Sequence, residues 1–214
     1  MIRKIFVTPL FLFINFPLYS QNIELGFGAG YSEFLAPTKY VERTSNLGYG
    51  FHQSYPVLIS TRYISADKKI SFLATLVYES FSGRGYLPPS INGINSLKLG
   101  EIENKGSIWS TSVGVQWPVL VSKFSPHLIV EFLIASFSEI TSIQGTPQGN
   151  VSFSEPSKGV RCGMSIGGGF NVPFLFNTSL DFDAKYVMHS LFGRTGGEKS
   201  VNSFQLAGII FIPI

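Results

Sequence analysis

From Asn22 to Tyr31 the chain reads N-I-E-L-G-F-G-A-G-Y. Ile23, Leu25, Phe27, Ala29 and Tyr31 share one parity, and Asn22, Glu24, Gly26, Gly28 and Gly30 the other. Successive side chains of a strand point to opposite faces, so this segment predicts a strand with one apolar face and one face of glycines and a carboxylate. The period recurs. Trp109, Thr111, Val113, Val115 and Trp117 oppose Ser110, Ser112, Gly114 and Gln116, while Val160, Cys162, Met164 and Ile166 oppose Arg161, Gly163, Ser165 and Gly167. Leu180, Phe182, Ala184 and Tyr186 oppose Asp181, Asp183 and Lys185. Near the C-terminus Phe204, Leu206, Gly208, Ile210 and Ile212 oppose Ser203, Gln205 and Ala207. Alternation and turn residues together predict eight strands, at 22–31, 55–64, 70–79, 107–117, 127–138, 158–171, 177–188 and 201–212. Two are weaker: 70–79 carries Leu73 and Val77 on its polar parity, and 127–138 is nearly continuous apolar.

The connections between these strands run about 23, 5, 27, 9, 19, 5 and 12 residues, alternating long and short. The short ones hold Asp67-Lys68-Lys69, Pro118 to Pro126, and Pro173, all suited to ending strands. This rhythm predicts an all-β, eight-stranded antiparallel up-and-down barrel with both chain ends on the short-turn side. Ten residues at about 3.3 Å each, tilted by about 40°, project to roughly 25 Å, the height of the apolar band of a transmembrane barrel.

Residues 1–21 are set apart from the barrel domain at 22–214. Arg3 and Lys4 precede an apolar run from Ile5 to Ile14, and Leu18-Tyr19-Ser20 offers a cleavage site before Gln21, the layout of a secretory signal peptide. Pro9, Asn15 and Pro17 leave that run well short of a membrane helix, which needs about 20 apolar residues. Removing Arg3 and Lys4 lowers the formal charge from +3 to +1, which carries no nucleic-acid footprint. The single cysteine, Cys162, can form no internal disulfide.

Which parity faces out separates two barrels. A soluble lipocalin-like barrel needs a solvated face of long charged side chains around an apolar cavity. Here the minority face is glycine and serine with a few charges, suited to a narrow interior. The apolar parity would expose far more than the few hundred Å² of patch that a soluble monomer tolerates. The sequence therefore predicts a barrel turned apolar side out, toward lipid. Tyr31, Tyr55, Tyr63, Tyr78, Trp109 and Trp117 fall near strand ends on the outward parity, where amphipathic rings favour a water–lipid interface.

Inward parity is assigned to Glu24, Arg62, Glu79, Glu131, Arg161, Asp181, Asp183 and Lys185. Charges in a narrow barrel are costly unless paired, so these residues predict an interior charge network that plugs the lumen. Glu24 and Arg62 match in depth across the first hairpin and are expected to approach each other.

The signal, the glycine-alternating first strand and the last strand, S-F-Q-L-A-G-I-I-F-I-P-I from Ser203, make the chain resemble the small outer-membrane β-barrel proteins of Gram-negative bacteria. This is the OmpA-like and OmpX-like group often labelled porin-like. The resemblance covers Asn22 to Ile214. It implies an outer-membrane location, contact with outer-membrane lipid, and insertion by the barrel-insertion machinery. Members usually finish on an aromatic residue; this chain ends Ile212-Pro213-Ile214, with Phe211 on the inward parity.

Some barrels of this kind modify lipid A with a His, a Ser and an acid near the outer rim. His52 with Ser54, and His189-Ser190 with Glu198, are the candidates for such a lipid A-modifying hydrolase. The first pair falls in a predicted loop and the second has the wrong spacing for a serine held by an oriented base. Gly167-Gly168-Gly169 lacks the Lys-Ser/Thr of a phosphate loop. No catalysis, cofactor or metal is expected. The outer loops, 32–54 with Tyr40, Arg43, Tyr49, Phe51 and His52, and 80–106 with Arg84 and Tyr86, remain for an extracellular ligand. A structural, adhesive or transport/secretion-accessory role follows.

Overall fold

A computed structural model describes residues 22–36, 50–67, 69–86, 101–120, 124–146, 149–155, 160–193 and 200–214. The signal peptide assigned to 1–21 lies outside the described residues. The strands are β1 (Ile23–Ala36), β2 (Gln53–Ser54), β3 (Val57–Ile64), β4 (Ser71–Tyr86), β5 (Glu101–Pro118), β6 (Ser125–Thr146), β7 (Gly149–Glu155), β8 (Val160–Pro173), β9 (Ser179–Phe192) and β10 (Asn202–Pro213).

Two of these are pieces of longer staves. Ser32 pairs with Ser54 and Ala29 with Val57, so β2 and β3 keep one register against β1 and are divided only at Tyr55-Pro56. Proline has no N–H to give a ladder. Its carbonyl still accepts from the Gly30 N–H at 2.9 Å. On the other side β7 pairs with the upper part of β6, above the stretch that β8 covers. The wall is thus a ring of eight antiparallel staves, closed by β10 pairing with β1, which satisfies both edges.

The stagger of the ring follows from its register. Moving from each residue to its ladder partner, the path runs Glu24, Arg62, Leu73, Gly114, Glu131, Ser165, Val187 and Ser203. It returns to β1 at Phe34, ten residues above its start. Eight strands with that shear tilt by about 40° and enclose a radius of about 8 Å. Each residue then climbs the barrel axis by about 2.5 Å and each ladder step by about 3 Å.

A wall this narrow needs glycine where inner side chains are large. A Cβ on Gly114 would stand 2.3 Å from the Val130 carbonyl oxygen and 2.7 Å from the Glu131 Cα. A Cβ on Gly167 would stand 2.2 Å from the Ala184 oxygen and 2.8 Å from the Lys185 Cα. The small inner parity makes room for the charges on the neighbouring strands.

The strands outrun their predicted ends on the loop side. β4 and β5 stay paired up to Tyr86 and Glu101, and β6 reaches Thr146, so much of the predicted loops 80–106 and 139–157 is sheet. The outward face there is polar, with Ser80, Ser82, Arg84, Glu103 and Lys105, while Phe81 and Asn104 stay buried on the inner face, so the apolar-outside pattern that marks the lower strands is lost. Backbone pairing carries the extension together with the Arg84–Glu103 and Lys105–Glu103 ion pairs. Ser54, placed by sequence in a loop, lies in β2.

Candidate functional site

The inner face is layered from the short-turn end upward. At the floor, Arg62 is the hub. Its Nε donates to Glu24 Oε2 at 2.7 Å, Nη1 to Asp181 Oδ2 at 2.7 Å, and Nη2 to Ser179 Oγ at 2.8 Å. Gln116 Nε2 donates to the same Asp181 oxygen at 3.1 Å, and Asn171 Nδ2 donates to Oδ1. The guanidinium lies 3.9 Å from the centroid of the Phe211 ring, which closes the layer from the side. His127 Nε2 and Asp183 Oδ1 meet at 2.9 Å beside it.

Higher up, Lys185 Nζ donates to Glu131 Oε2 at 3.0 Å. Ser112 and Ser165 donate to the two Glu131 oxygens at 3.0 and 2.8 Å, so both oxygens are hydrogen-bonded. Such a buried pair is tolerable only because its charges are matched and hydrogen-bonded. Above it Ser54 Oγ donates to Glu79 Oε2 at 2.8 Å, and His189 Nε2 meets Ser203 Oγ at 2.9 Å. Arg161 spreads over the Phe137 ring at 4.4 Å. A roof of Phe34, Phe51, Phe81, Ile108, Leu133, Ala135, Phe137, Val187 and Val201 then fills the bore. Phe51 precedes β2, where the His52 carbonyl accepts from the Phe34 N–H at 2.9 Å, and its ring packs 4.6 Å from that of Phe81.

All eight charges assigned to the interior lie on the inner face, but not in one network. Glu24, Arg62 and Asp181 meet at the floor, Glu131 and Lys185 at mid-height, and Asp183 joins His127. Glu79 and Arg161 stand in the upper layer. Sequence reading missed His127, although it shares the parity of Glu131 and opens the same strand. It also missed Phe211 as a partner of Arg62, because only shear brings the two strands to one height.

The outer face is apolar where the inner is charged. Phe27, Ile59, Phe72, Leu76, Val113, Leu128, Phe132, Ile166, Phe182, Leu206 and Ile210 are all exposed. The six aromatics occupy two heights. With the shear above, Tyr63 and Trp117 fall within about 2 Å of one level, and Tyr31, Tyr55, Tyr78 and Trp109 within about 5 Å of another, roughly 20 Å higher. Tyr31 packs edge-on to Tyr55 at 6.1 Å, and Tyr78 lies 4.6 Å from Trp109.

Above the upper level the outward face turns polar. Glu103 receives Arg84 at 2.8 Å and Lys105 at 3.0 Å, and these partners, Lys105 foremost, hold its carboxyl below the usual range.

The candidates for chemistry are held otherwise. Ser54 is engaged by Glu79, while His52 is exposed to solvent. Ser190 Oγ accepts from the Val201 N–H at 3.0 Å, where β9 bulges, and His189 is buried beneath the roof. Glu198 lies outside the described residues. His127, Asp181 and Asp183 have atoms close enough together to share an ion. Both Asp181 oxygens, however, are already taken by Arg62, Gln116 and Asn171.

The fold is that of the eight-stranded up-and-down barrels with an apolar exterior and a filled polar bore, the reverse of a lipocalin. It is similar to the crystal structure of Neisserial surface protein A, with 15% identity over 90% of this chain and 97% of that one, and a TM-score of 0.54. Matches also include Ail, the attachment invasion locus protein of Yersinia pestis, at 12% identity over 89% and 99% of the chains with a TM-score of 0.44. Another is OprG from Pseudomonas aeruginosa, at 13% identity over 89% and 91% with a TM-score of 0.38. The likeness of fold rests on the first. No protein-family profile matches the chain, and no curated protein matches its sequence.

Proposed function

We propose that the chain is an exported outer-membrane barrel, delivered by a cleaved signal at residues 1–21, that spans the bilayer as a plugged cylinder and has a structural, adhesive or transport/secretion-accessory role. The observation that carries this reading is the pair of aromatic levels, roughly 20 Å apart, bounding a predominantly apolar belt. Tyr and Trp sit where one end of the ring meets lipid and the other water, so Tyr63 and Trp117 mark one interface and Tyr31, Tyr55, Tyr78 and Trp109 the other.

The lumen supports a barrel that is not a diffusion pore. The Arg62 layer, the Glu131–Lys185 pair and the phenylalanine roof close it at three heights. An eight-stranded bore is filled by side chains in any case. Work at the surface falls to the loop-end sheet of β4 to β7 and its connections, where an extracellular ligand would bind. Insertion is the task of the barrel-insertion machinery, and no catalytic role is assigned.

Membrane fractionation with gel mobility before and after boiling tests this reading. Recovery with outer membranes, and a folded band that migrates differently from the boiled one, is the expected result. A protein that stays in the soluble fraction overturns it.

A further inference from the structure

Between the Glu131–Lys185 pair and the Glu79–His189 layer the lumen leaves a cavity of about 20 Å³. That is room for a single water molecule, and an apolar void of this size would stay dry. This one has a mixed wall: apolar Val77, Leu133 and Val187 line it together with Ser110, Ser112, Glu131, Lys185, His189 and Gln205, whose polar groups give a water its partners. One lining group also lacks a partner. Among the described residues His189 Nδ1 is buried without a hydrogen bond, although Nε2 of the same ring is paired with Ser203. A buried ring nitrogen left unsatisfied costs about 1–3 kcal/mol, a cost that a water could remove.

We propose that this cavity is a specific site for one ordered water molecule, hydrogen-bonded to His189 Nδ1 and to polar groups of the opposite wall. The ligand is water rather than an ion because of size and charge. The volume admits one small molecule, and Lys185 already neutralises Glu131 at 3.0 Å. The molecule lies between the phenylalanine roof and the Arg62 layer, which hinder its exchange with bulk solvent. It joins the mid-lumen pair to the His189–Ser203 pair, turning separate polar layers into one hydrogen-bonded column.

Isotope-edited NMR of the folded barrel in detergent micelles tests the site through magnetisation transfer from water to the His189 ring and the Gln205 side-chain amide. Transfer with the sign of a long-lived bound water is expected. Ser110→Val fills the space and should abolish it. Gln205→Leu, which keeps the volume and removes a polar wall, should weaken it at least several-fold; heat-modifiable mobility checks that each variant folds. No transfer in the folded wild type, or undiminished transfer in both folded variants, overturns the proposal.

Discussion

Arg62 on β3 reaches across the bore to Asp181 on β9, with Nη1 2.7 Å from Oδ2. The two strands are not neighbours in the wall, so the contact ties together separate staves of a bore whose diameter strand number and shear set. Removing the cation leaves Glu24 and Asp181 buried with no counter-charge. Arg62→Met should therefore lower unfolding stability by about 3–5 kcal/mol, the usual cost of breaking a buried pair from one side. Urea unfolding followed by tryptophan fluorescence reads this. Adding Asp181→Asn should recover part of the loss, and a double variant no more stable than Arg62→Met alone would contradict the pairing.

Two glycines separate wall crowding from chain flexibility. Gly114→Ala drives a methyl into the Val130 carbonyl and Glu131, whereas a Cβ at Gly208 meets only the Phe182 ring edge, at 3.9 Å. The first should cost about 1–3 kcal/mol, as overpacking does. The second should stay within about 0.5 kcal/mol. Equal effects in the same unfolding assay would mean that inner crowding is not what selects glycine.

Depth in the belt can be mapped with charge. Val113 lies near mid-belt on the outward parity, and Ser107 above the upper aromatic level on the same strand and face. Val113→Arg should destabilise by about 2–4 kcal/mol, and Ser107→Arg by about 0–1 kcal/mol, if the belt faces lipid. Refolding titrations into lipid vesicles compare the two.

The roof and floor act as independent stoppers. Phe34→Ala opens a hole in the apolar cluster and should cost about 3–5 kcal/mol, yet planar-bilayer recordings should remain free of steady conductance because the Arg62 layer still closes the bore. Conductance appearing in that variant alone would place the only effective barrier at the roof.

The first turn carries a pH dependence. Asp67 accepts from the Ser65 hydroxyl at 2.6 Å and from the Lys69 N–H at 3.1 Å, and these bonds, Ser65 first, hold its carboxyl below the usual range. A carboxyl depressed in the folded state stabilises fully above its unfolded value, and that contribution disappears as pH falls through the folded one. Hydrogen-exchange protection of the Lys69 amide should thus decline on acidification across that window. In Asp67→Asn the protection should lose its pH dependence.

Much of the wall was legible in the chain. The alternation around Trp109 to Trp117 assigned both faces of β5, and equal depth in two adjacent antiparallel strands matched Glu24 to Arg62 without any structure. These are relations within one strand or between sequence-adjacent strands, set by a period of two. Where the period failed, so did the reading: β4 to β7 extend into water, and the broken stave at Pro56 left Ser54 in a supposed loop. The interior charges were assigned by parity as one network, whereas their contacts fall into groups at different heights. The difference is that parity depends on a residue's own strand, and height in the bore on the shear of the whole ring.

The sequence by itself determined that this chain alternates, that glycine and charge share one parity, and that apolar and aromatic residues share the other. Those facts follow from backbone geometry and transfer energies, which act residue by residue. Only closure with a stagger of ten residues decided that Arg62 meets Asp181 and Phe211, that six aromatics fall on two levels, and that Glu131 finds Lys185. A register summed around eight strands is a property of the ring, and no single segment carries it.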